Sequence, residues 1–289
     1  MNNDLKLFGI FGHPLAHTLS PMFQEAGFKK IGLRAHYLVL DLSPPYFKRA
    51  MRSLKKSPLQ GFNVTVPYKQ TVMPYLDWMT KEAQAIGAVN TVYRFGKKWY
   101  GTNTDAEGVW LSLQKEWKWK AKGKNILVLG AGGAARAVLF ALASRSVQSI
   151  TVWNRTQSRR MKLISHFSKL FPKVQFIGNA WKTGARVDLT PFDLIVNTTS
   201  IGLHAKDAAL ISPRDIPSSA KGRKYFMDLI YNPAETPFLR SAKKKGHRIL
   251  NGLPMLLYQG VRAFEIWTGR SAPIKEMKTA LLAALKNKK

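Results

Sequence analysis

The clearest chemical pattern in the sequence is a run of small residues, "GAGGAA", between an apolar stretch and an alanine-rich one. Small residues let the backbone approach a pyrophosphate, and the amino end of a following helix offers unpaired N–H groups and a favourable dipole. The preceding "NILVL" predicts a buried strand and the following residues predict a helix, as a dinucleotide site requires. The alternative is a tight glycine turn without a ligand. The predicted pyrophosphate turn consists of Gly130, Ala131, Gly132, Gly133 and Ala134.

The end of the next predicted strand, "WNRTQSRR", indicates which dinucleotide would bind. An NAD site places Asp or Glu here to accept a hydrogen bond from the ribose 2′-hydroxyl. This chain has Asn154, Arg155 and Thr156 instead, with Arg159 one helical turn further on. An arginine can pair with a 2′-phosphate, which a carboxylate would repel. The pattern predicts NADP(H); the alternative is that these arginines simply face solvent in a basic chain.

Lys69 is a third candidate, in the stretch "QGFNVTVPYKQT". The alternating, β-branched residues up to Val66 predict a strand that stops at Pro67. A strand end followed by a turn would project the lysine from a rigid support. Lysines are mostly exposed, however, so these residues alone leave the role of Lys69 open.

The elements that must position these residues fall into two groups. Residues 5–100 predict short strands alternating with helices, which is typical of a covered parallel or mixed sheet. Ser20 is the predicted N-cap of a helix that stops near Gly32, and a hairpin is predicted to turn near Gly96. The second group begins at the glycine run, and its short apolar strands predict a doubly wound sheet. An amphipathic helix follows Asn251.

Length and composition set further limits. A chain of 289 residues predicts two domains, and no apolar run is long enough to span a membrane. The amino-terminal residues do not read as a signal peptide. The absence of cysteine excludes disulfides, thiolate metal sites and a cysteine nucleophile, and the six histidines show no metal-ligand spacing. We therefore expect a cytoplasmic protein without a metal.

The net charge of +30 is unusual. Its distribution is +8 in residues 1–105, +17 in 106–252 and +5 in 253–289. Such a chain attracts polyanions, but the charges are scattered and no nucleic-acid-binding motif is present. We expect no specific nucleic-acid binding. The charge either forms a solvated lysine-rich surface or raises the encounter rate with anionic ligands.

Several longer motifs together resemble one enzyme family. The stretches "AHTLSP", "NVTVPYK", "GAVNTV", "GTNTDAEG", "DLIYNPAETPFL" and "NGLPMLLYQG" are arranged around "GAGGAA" and "NRTQSR". In this order they resemble the shikimate dehydrogenases, over nearly the whole chain. The resemblance implies an α/β fold with an N-terminal α/β substrate domain and a Rossmann-like, doubly wound nucleotide-binding domain.

The resemblance also implies domain limits and residue roles. Residues 1–105, completed by C-terminal helices in 253–289, would bind substrate, 106–252 would bind NADP, and the active site would lie in the cleft between them. Lys69 and Asp105 match the family's catalytic pair, and Leu229 and Gly252 match positions near the nicotinamide. The positions that match its substrate-binding residues are Thr18, Ser20, Thr65, Asn90, Tyr231 and Gln259.

The implied reaction is the NADP-dependent, reversible reduction of 3-dehydroshikimate to shikimate, a step toward the aromatic amino acids. Hydroxyl and amide side chains suit a small polyhydroxylated carboxylate. Burial would favour neutral Lys69, whereas a nearby Asp105 carboxylate would favour its charged form, so the member that holds the mobile proton stays open. The partner is thus a small molecule, and the oligomeric state is left as monomer or homodimer.

One departure from the family pattern bears on specificity. The family usually has serine at both hydroxyl positions of its "SxSP" motif, whereas the first is Thr18 here. Threonine keeps the hydroxyl donor and adds a methyl group, which leaves a quinate/shikimate dehydrogenase of broader specificity as the alternative. A catalytically idle NADP-binding regulatory protein is a second alternative, against which the presence of Lys69 and Asp105 argues.

Overall fold

The chain forms two α/β units, each built around one six-stranded sheet. The computed structural model describes residues 4–181, 186–204, 206–207 and 209–286, with only the backbone of Lys221. One unit comprises the chain up to Gly108 together with the segment from Leu257 onward, and the other is Val109–Leu256. The outer ends of the predicted domains, 1–3 and 287–289, lie outside the described residues, as do 182–185, 205 and 208.

The first unit begins with a mixed sheet. Its strands are β1 (Lys6–Gly12), β2 (Ala35–Asp41), β3 (Leu59–Val64), β4 (Trp78–Met79), β5 (Thr91–Phe95) and β6 (Lys98–Thr102). The helices between them are α1 (Ser20–Lys30), α2 (Pro44–Arg52) and α3 (Lys81–Ile86), with short 3₁₀ turns at Leu54–Lys56 and Met73–Tyr75. Helix α4 (Asp105–Trp117) starts after the short loop that follows β6.

Strand direction in this sheet decides where its loops meet. The order is β2-β1-β3-β5-β6-β4. β1 is parallel to both β2 and β3, whereas β5 is antiparallel to β3 and to β6. The carboxyl ends of β1, β3 and β6 and the amino end of β5 therefore lie at the same edge.

The second unit has a fully parallel sheet in the order β12-β11-β10-β7-β8-β9. Its strands are β7 (Asn125–Leu129), β8 (Ser149–Asn154), β9 (Gln175–Ala180), β10 (Leu194–Asn197), β11 (Tyr225–Asp228) and β12 (Arg248–Leu250). Its helices are α5 (Gly133–Ala143), α6 (Gln157–Leu170) and α7 (Pro237–Lys244), with a 3₁₀ turn at Ser219–Lys221. The strand order reverses between β7 and β10, which is the position where doubly wound sheets bind ligands.

Two helices close the chain, α8 (Leu253–Thr268) and α9 (Ile274–Lys286). Within the first unit they cover the face of the sheet that α1 also covers. The ring of Phe264 stacks on Phe28 at a centroid distance of 5.3 Å, and Trp267 stacks on Phe8 at 5.2 Å. The indole N–H of Trp267 donates to the carbonyl oxygen of Val92 at 3.0 Å. Aromatic burial and this hydrogen bond attach the carboxyl-terminal segment to a sheet that begins more than two hundred residues earlier.

The fold class is confirmed, whereas several local predictions differ from the structure. Strand β3 ends at Val64 and not at the predicted Val66. The hairpin turns at Gly96 as predicted, with φ at +61°. The prediction that Ser20 caps α1 was wrong, because the helix begins at Ser20 itself and no side chain caps it. Strand β9 was not predicted, since its residues are largely exposed and show no apolar alternation. Among the described residues, no helix combines the length and the apolar character that crossing a membrane requires.

Candidate active site

Four separated segments carry the predicted polar residues of the first unit to one edge of its sheet. They are Thr18–Ser20 after β1, Thr65–Lys69 after β3, Asn90 before β5, and Asn103–Asp105 after β6. We call these four segments the polar edge. Its members come from distant parts of the sequence and meet because the strands converge there.

Lys69 and Asp105 form an ion pair at the polar edge. The Nζ of Lys69 donates to Oδ2 of Asp105 at 2.6 Å, and the side chains are only 13% and 5% exposed. A charge-assisted hydrogen bond of this length, shielded from solvent, is among the stronger polar contacts in a protein. The two residues predicted to act together are therefore in contact.

The backbone around Lys69 is held on both sides. The N–H of Tyr68 donates to the carbonyl of Thr65 at 2.8 Å, which closes the turn after β3, and the N–H of Val89 donates to the carbonyl of Lys69 at 2.8 Å. The ring of Tyr68 stacks on Phe47 with centroids 3.9 Å apart. Lys69 is thus a fixed, nearly buried residue and not the exposed loop lysine that its sequence context left possible.

Asp105 is held by the start of its helix. It is the first residue of α4, and its N–H donates to Oδ1 of Asn103 at 3.0 Å, as does the N–H of Ala106 at 3.3 Å. The amide of Asn103 in turn donates to the carbonyl of Ala88 at 2.9 Å. A carboxylate at a helix amino terminus is favoured by the helix dipole, so both the position and the charge of Asp105 are supported.

Asn90 fixes the other oxygen of the same carboxylate. Its Nδ2 donates to Oδ1 of Asp105 at 2.9 Å and also lies within hydrogen-bond distance of Thr104 Oγ1 (3.0 Å) and Gln259 Oε1 (3.3 Å). Its Oδ1 accepts from the N–H of Thr104 at 2.7 Å. Lys69 and Asn90 together occupy both carboxylate oxygens, which leaves Asp105 a single orientation.

Two further polar residues, which the sequence did not single out, extend this network. Asn63 donates from Nδ2 to the carbonyl of Asn90 at 3.1 Å and to Oγ1 of Thr91 at 3.1 Å. Its Oδ1 accepts from the hydroxyl of Tyr37 at 2.7 Å, and Tyr37 also bonds the side chain of Ser20. Burial raises the pKa of Tyr37, so its hydroxyl stays protonated and donates. Ser20 is thereby connected to Asn90 through two buried side chains.

The remaining predicted substrate residues divide between the units. Thr18 Oγ1 accepts from the N–H of Ser20 at 3.3 Å, Thr65 follows β3 directly, and Gln259 lies on α8 at 9% exposure. All three belong to the first unit, as do Ser20 and Asn90. Tyr231 lies in the second unit, after β11, where burial raises its pKa. The structure thus gathers Ser20, Asn90 and Gln259 in one bonded network with the ion pair.

The glycine turn of the second unit follows β7 as predicted, at the point where the strand order reverses. Gly130 has φ at +109°, and a Cβ there would lie 2.6 Å from Oγ1 of Thr198. A Cβ at Gly132 would meet no atom of the described residues within 4 Å, so open space lies beside the turn in this part of the chain. Helix α5 starts at Gly133 with no side-chain cap and no acidic residue in its first turn. Open space and free N–H groups fit a bound pyrophosphate.

The arginines after β8 occupy two different environments. Arg155 and Arg159 are exposed, as suits side chains that reach a ligand in solvent, and Asn154 Nδ2 donates to the carbonyl of Thr156 at 3.0 Å. Arg160, one residue beyond the predicted set, is 7% exposed. Its position on α6 places its side chain against the sheet, whereas Arg159 is exposed. The spacing of the arginines in the sequence does not reveal this difference.

Leu229 and Gly252 are in backbone contact. A Cβ at Gly252 would lie 2.0 Å from the carbonyl oxygen of Leu229, and the N–H of Gly252 donates to the carbonyl of Ile230 at 3.0 Å. The N–H of Leu229 donates to the carbonyl of Asn197 at 3.0 Å. Only glycine permits the approach at Gly252, so the two residues predicted near the nicotinamide belong to one rigid junction.

The junction rests on a buried carboxylate, Asp228, at the end of β11. Its Oδ1 accepts from Asn197 Nδ2 at 2.9 Å and from the N–H of Ile230 at 3.0 Å, and its Oδ2 accepts from the hydroxyl of Thr236 at 2.7 Å. Burial outweighs these bonds and raises the pKa of Asp228 to about 6. The turns after β7, β8, β10 and β11, including Asp228, are called the carboxyl edge below.

Among the described residues, no group of three or more histidine, aspartate or glutamate side chains could hold a metal ion. The polar contacts at the polar edge are instead made by amides, hydroxyls and the ion pair of Lys69 and Asp105.

Comparison with known proteins decides the family. Family models match residues 10–92 (shikimate dehydrogenase substrate binding domain), 112–183 (shikimate / quinate 5-dehydrogenase) and 252–282 (shikimate 5′-dehydrogenase C-terminal domain). A relative from Carboxydothermus hydrogenoformans, named shikimate dehydrogenase (NADP(+)), is 43% identical over 282 residues, which cover 97% of this chain and 98% of the relative. The chain belongs to the shikimate dehydrogenase family.

Solved structures agree with that membership. A crystal structure of a shikimate dehydrogenase in complex with NADP⁺ is 38% identical, with a TM-score of 0.87 over 99% of this chain and 97% of the other. The ligand-free 5-ketofructose reductase of Gluconobacter sp. strain CHM43 is 33% identical, with a TM-score of 0.84 over 97% and 99%. The predicted family and fold are therefore confirmed, and the shikimate dehydrogenase fold also carries a reductase with another name.

Proposed function

We propose that this chain catalyses the reversible, NADP-dependent reduction of 3-dehydroshikimate to shikimate. The observation that carries the proposal is the shielded 2.6 Å ion pair of Lys69 and Asp105, surrounded by hydroxyl and amide side chains. Membership of the shikimate dehydrogenase family supports the substrate and the cofactor. The dyad supplies the proton transfer that interconversion of a ketone and a secondary alcohol requires.

The substrate would bind at the polar edge. The hydroxyls of Thr18 and Ser20 can donate to a carboxylate, while Thr65, Asn90 and Gln259 offer donors and acceptors for ring hydroxyls. Because Asn90 and its neighbours are already bonded to one another, their directions are set before substrate arrives, which lowers the entropy cost of orientation. We also assign Tyr231 to substrate binding, on the family motif that contains it.

Lys69 and Asp105 would move the proton. In the oxidising direction the hydroxyl proton of shikimate passes to the pair, and in the reducing direction the pair returns a proton to the carbonyl oxygen. Protonated Lys69 polarises that oxygen as negative charge develops on it, and Asp105 stabilises the charged lysine. Asn90 fixes the orientation of Asp105 through a hydrogen bond to the second carboxylate oxygen. The proton belongs to the pair as a unit.

NADP(H) would bind at the carboxyl edge, where it accepts or supplies the hydride of the reaction. The pyrophosphate would bind at the glycine turn, because open space and the uncapped start of α5 meet there. The residues of this turn are Gly130, Ala131, Gly132, Gly133 and Ala134. Asn154, Arg155, Thr156 and Arg159 would hold the 2′-phosphate. Leu229 and Gly252 would line the nicotinamide half. We accordingly assign substrate binding to 1–105 with 253–289, and NADP binding to 106–252.

The test measures turnover with shikimate and NADP through the absorbance of the reduced nicotinamide. It is carried out on the native sequence, Lys69→Ala and Asp105→Asn. We expect turnover that falls about a hundred- to ten-thousand-fold in both variants while NADP binding is retained. Absence of turnover with the native sequence, with NADP binding intact, would contradict the assigned substrate. Normal turnover in either variant would contradict the assigned dyad.

Thr18 bears on one alternative, a quinate/shikimate dehydrogenase of broader specificity, because its methyl group changes the surroundings of the hydroxyl that would meet the carboxylate. Comparison of kcat/KM for shikimate and quinate with NADP and with NAD decides between them. We expect shikimate with NADP to be preferred, and Thr18→Ser to change the ratio of the two substrates by less than about tenfold. A preference for quinate with NAD would replace the proposal. A monomer or homodimer, a cytoplasmic location and the lack of specific nucleic-acid binding stay predictions.

A further inference from the structure

Arg160 is a buried arginine of helix α6. Its guanidinium Nη1 donates to the carbonyl oxygen of Asn154 at 2.9 Å, and its buried Nε has no hydrogen-bond partner among the residues that the structure describes. Among the described residues, no Asp or Glu forms an ion pair with it. Its aliphatic stem runs along β9, where a Cβ at Gly178 would lie 3.3 Å from both its Cγ and its Cδ. The guanidinium group therefore lies at the carboxyl end of β8.

This arrangement is costly for the protein alone. A guanidinium offers five N–H donors, and buried arginines are usually paired with an acid that offsets the loss of hydration. One carbonyl oxygen compensates only part of that loss, because it carries a partial charge and satisfies one donor. The fold thus retains a poorly compensated positive charge beside the turn that begins at Asn154.

The stretch of sequence around Arg160 adds positive charge and no acid. Residues 117–187 contain 14 lysines and arginines and not one aspartate or glutamate. Helix α6 begins directly after Thr156, has no side-chain cap and no acidic residue in its first turn, and carries Arg159 and Arg160 near its positive end. The missing negative charge must therefore come from outside this stretch of chain, and the turn at the end of β8 is where it would be attracted.

We propose that Arg160 is a specificity-determining residue for NADP(H) over NAD(H), acting on the 2′-phosphate from beneath the Asn154–Thr156 turn. The inference rests on the proposed function, which places the cofactor at the carboxyl edge. Arg155 and Arg159 are exposed, so salt screens their charges, whereas the charge of Arg160 is held in place and screened far less. Arg160 also anchors the turn through the Asn154 carbonyl, so it contributes a fixed field and a fixed geometry.

The experiment compares two small probes that differ only in the group at issue, 2′,5′-ADP and 5′-AMP. Their dissociation constants are measured by calorimetry for the native sequence, for Arg160→Met and for Lys162→Met. Methionine keeps a linear stem against Gly178 and removes the charge. Lys162 is an exposed residue of the same helix, so its replacement removes one charge without the buried position.

We expect the native sequence to prefer 2′,5′-ADP. The preference should fall about tenfold or more in Arg160→Met, with 5′-AMP binding changed less than about twofold, and should change less than about twofold in Lys162→Met. An equal loss for both probes in Arg160→Met would assign the residue a purely structural role and overturn the inference. An unchanged preference would overturn it as well.

A second variant covers the case in which Arg160→Met does not fold. Arg160→Lys keeps the charge but loses the planar guanidinium, so we expect a two- to fivefold loss of preference for 2′,5′-ADP, roughly as the loss of one well-directed hydrogen bond predicts. An unchanged ratio in this variant would overturn the inference. If the native sequence itself shows no preference for 2′,5′-ADP, the proposed NADP specificity fails, and the role of Arg160 fails with it.

Discussion

At the polar edge of the first sheet, Lys69 and Asp105 are nearly enclosed and both oxygens of the carboxylate accept hydrogen bonds. At the carboxyl edge of the second sheet, the glycine turn offers open space, Arg155 and Arg159 are exposed, and buried Arg160 has an unbonded Nε. Among the described residues, the ion pair of the first region thus has its hydrogen bonds within the protein, whereas the second region leaves Arg155 and Arg159 without an ion pair and the Nε of Arg160 without a hydrogen bond.

The difference matches the chemistry that each region would perform. A proton-transfer pair must stand in one geometry before substrate arrives, which requires that neighbouring groups hold it. A site for a polyanionic cofactor gains affinity from donors and charges that have no better partner in the free protein. Variants at the two edges should therefore fail differently, the first in turnover and the second in cofactor affinity.

After the variants of the dyad itself, the largest effect should follow from Asn90→Ala. The change removes the donor to Asp105 and the acceptor of the Thr104 N–H, so buried polar groups lose their partners. We expect kcat/KM to fall about a hundredfold and the free energy of unfolding to fall by about 3 kcal/mol. Asn125→Ala, at the opposite end of β7 from the glycine turn, is the control and should leave kcat/KM unchanged. Full activity in Asn90→Ala would show that the orientation of Asp105 is not limiting.

Two glycine substitutions at the carboxyl edge distinguish the loss of space for a ligand from the cost of backbone strain. Gly132→Ala adds a methyl group where no atom lies within 4 Å, so stability should be unchanged while the Kd for NADP rises about tenfold. Gly130→Ala meets Thr198 Oγ1 at 2.6 Å with φ at +109°, so it should cost about 2–3 kcal/mol of stability. Thermal unfolding and calorimetry measure both. Unchanged NADP affinity in folded Gly132→Ala would move the pyrophosphate away from this turn.

Asp228 predicts a pH dependence of stability that arises at the carboxyl edge. Its pKa is about 6 in the folded chain and 3.8 unfolded, so the folded state holds the proton more tightly. Its contribution is then most favourable below pH 4 and is lost as pH rises toward 6. We expect the stability of the native sequence relative to Asp228→Asn to fall by roughly 2–3 kcal/mol between pH 4 and pH 7.

An exposed aspartate provides the control for this measurement. Hydrogen bonds from Thr190 lower the pKa of Asp188, so its contribution has the opposite sign and is lost as pH falls. Between pH 4 and pH 7 the difference between the native sequence and Asp188→Asn should stay nearly constant, because this range lies above the pKa of Asp188. Chemical unfolding across the range measures both differences. A pH-independent difference between the native sequence and Asp228→Asn would contradict the buried-carboxylate account.

The smallest effect is expected for Tyr37→Phe, which tests how far the polar edge extends. The change removes one hydroxyl that donates to Asn63 and bonds Ser20. We expect a loss of about 1–2 kcal/mol of stability and a severalfold rise in KM for shikimate, with kcat changed less. Tyr93→Phe, a half-buried tyrosine whose ring stacks on Tyr100, should change neither. An unchanged KM would place Tyr37 outside the working network.

The two edges also differ in how far the sequence predicts them. The glycine turn and the "NRT" segment are contiguous, and their chemistry follows from local rules, so residues alone indicated an NADP site. Lys69, Asn90, Asp105 and Gln259 come together only through strand pairing and helix α8. The residues alone leave the role of Lys69 open, and only the family resemblance indicates the other three. Tyr37 lies in β2 and Asn63 lies in β3, and both strands pair with β1. Their contact depends on the register of these pairings, which no local sequence pattern shows. Arg160 differs from Arg159 only in helical phase.

The central claim is that Lys69 and Asp105 act as one unit, and a double-variant cycle tests it most directly. Turnover of 3-dehydroshikimate is measured for the native sequence, Lys69→Ala, Asp105→Asn and the combined variant, with NADP binding as the check on folding. If the pair is one unit, the combined variant loses about as much activity as either single variant. If the two losses multiply, the residues act independently and the proposed dyad is wrong.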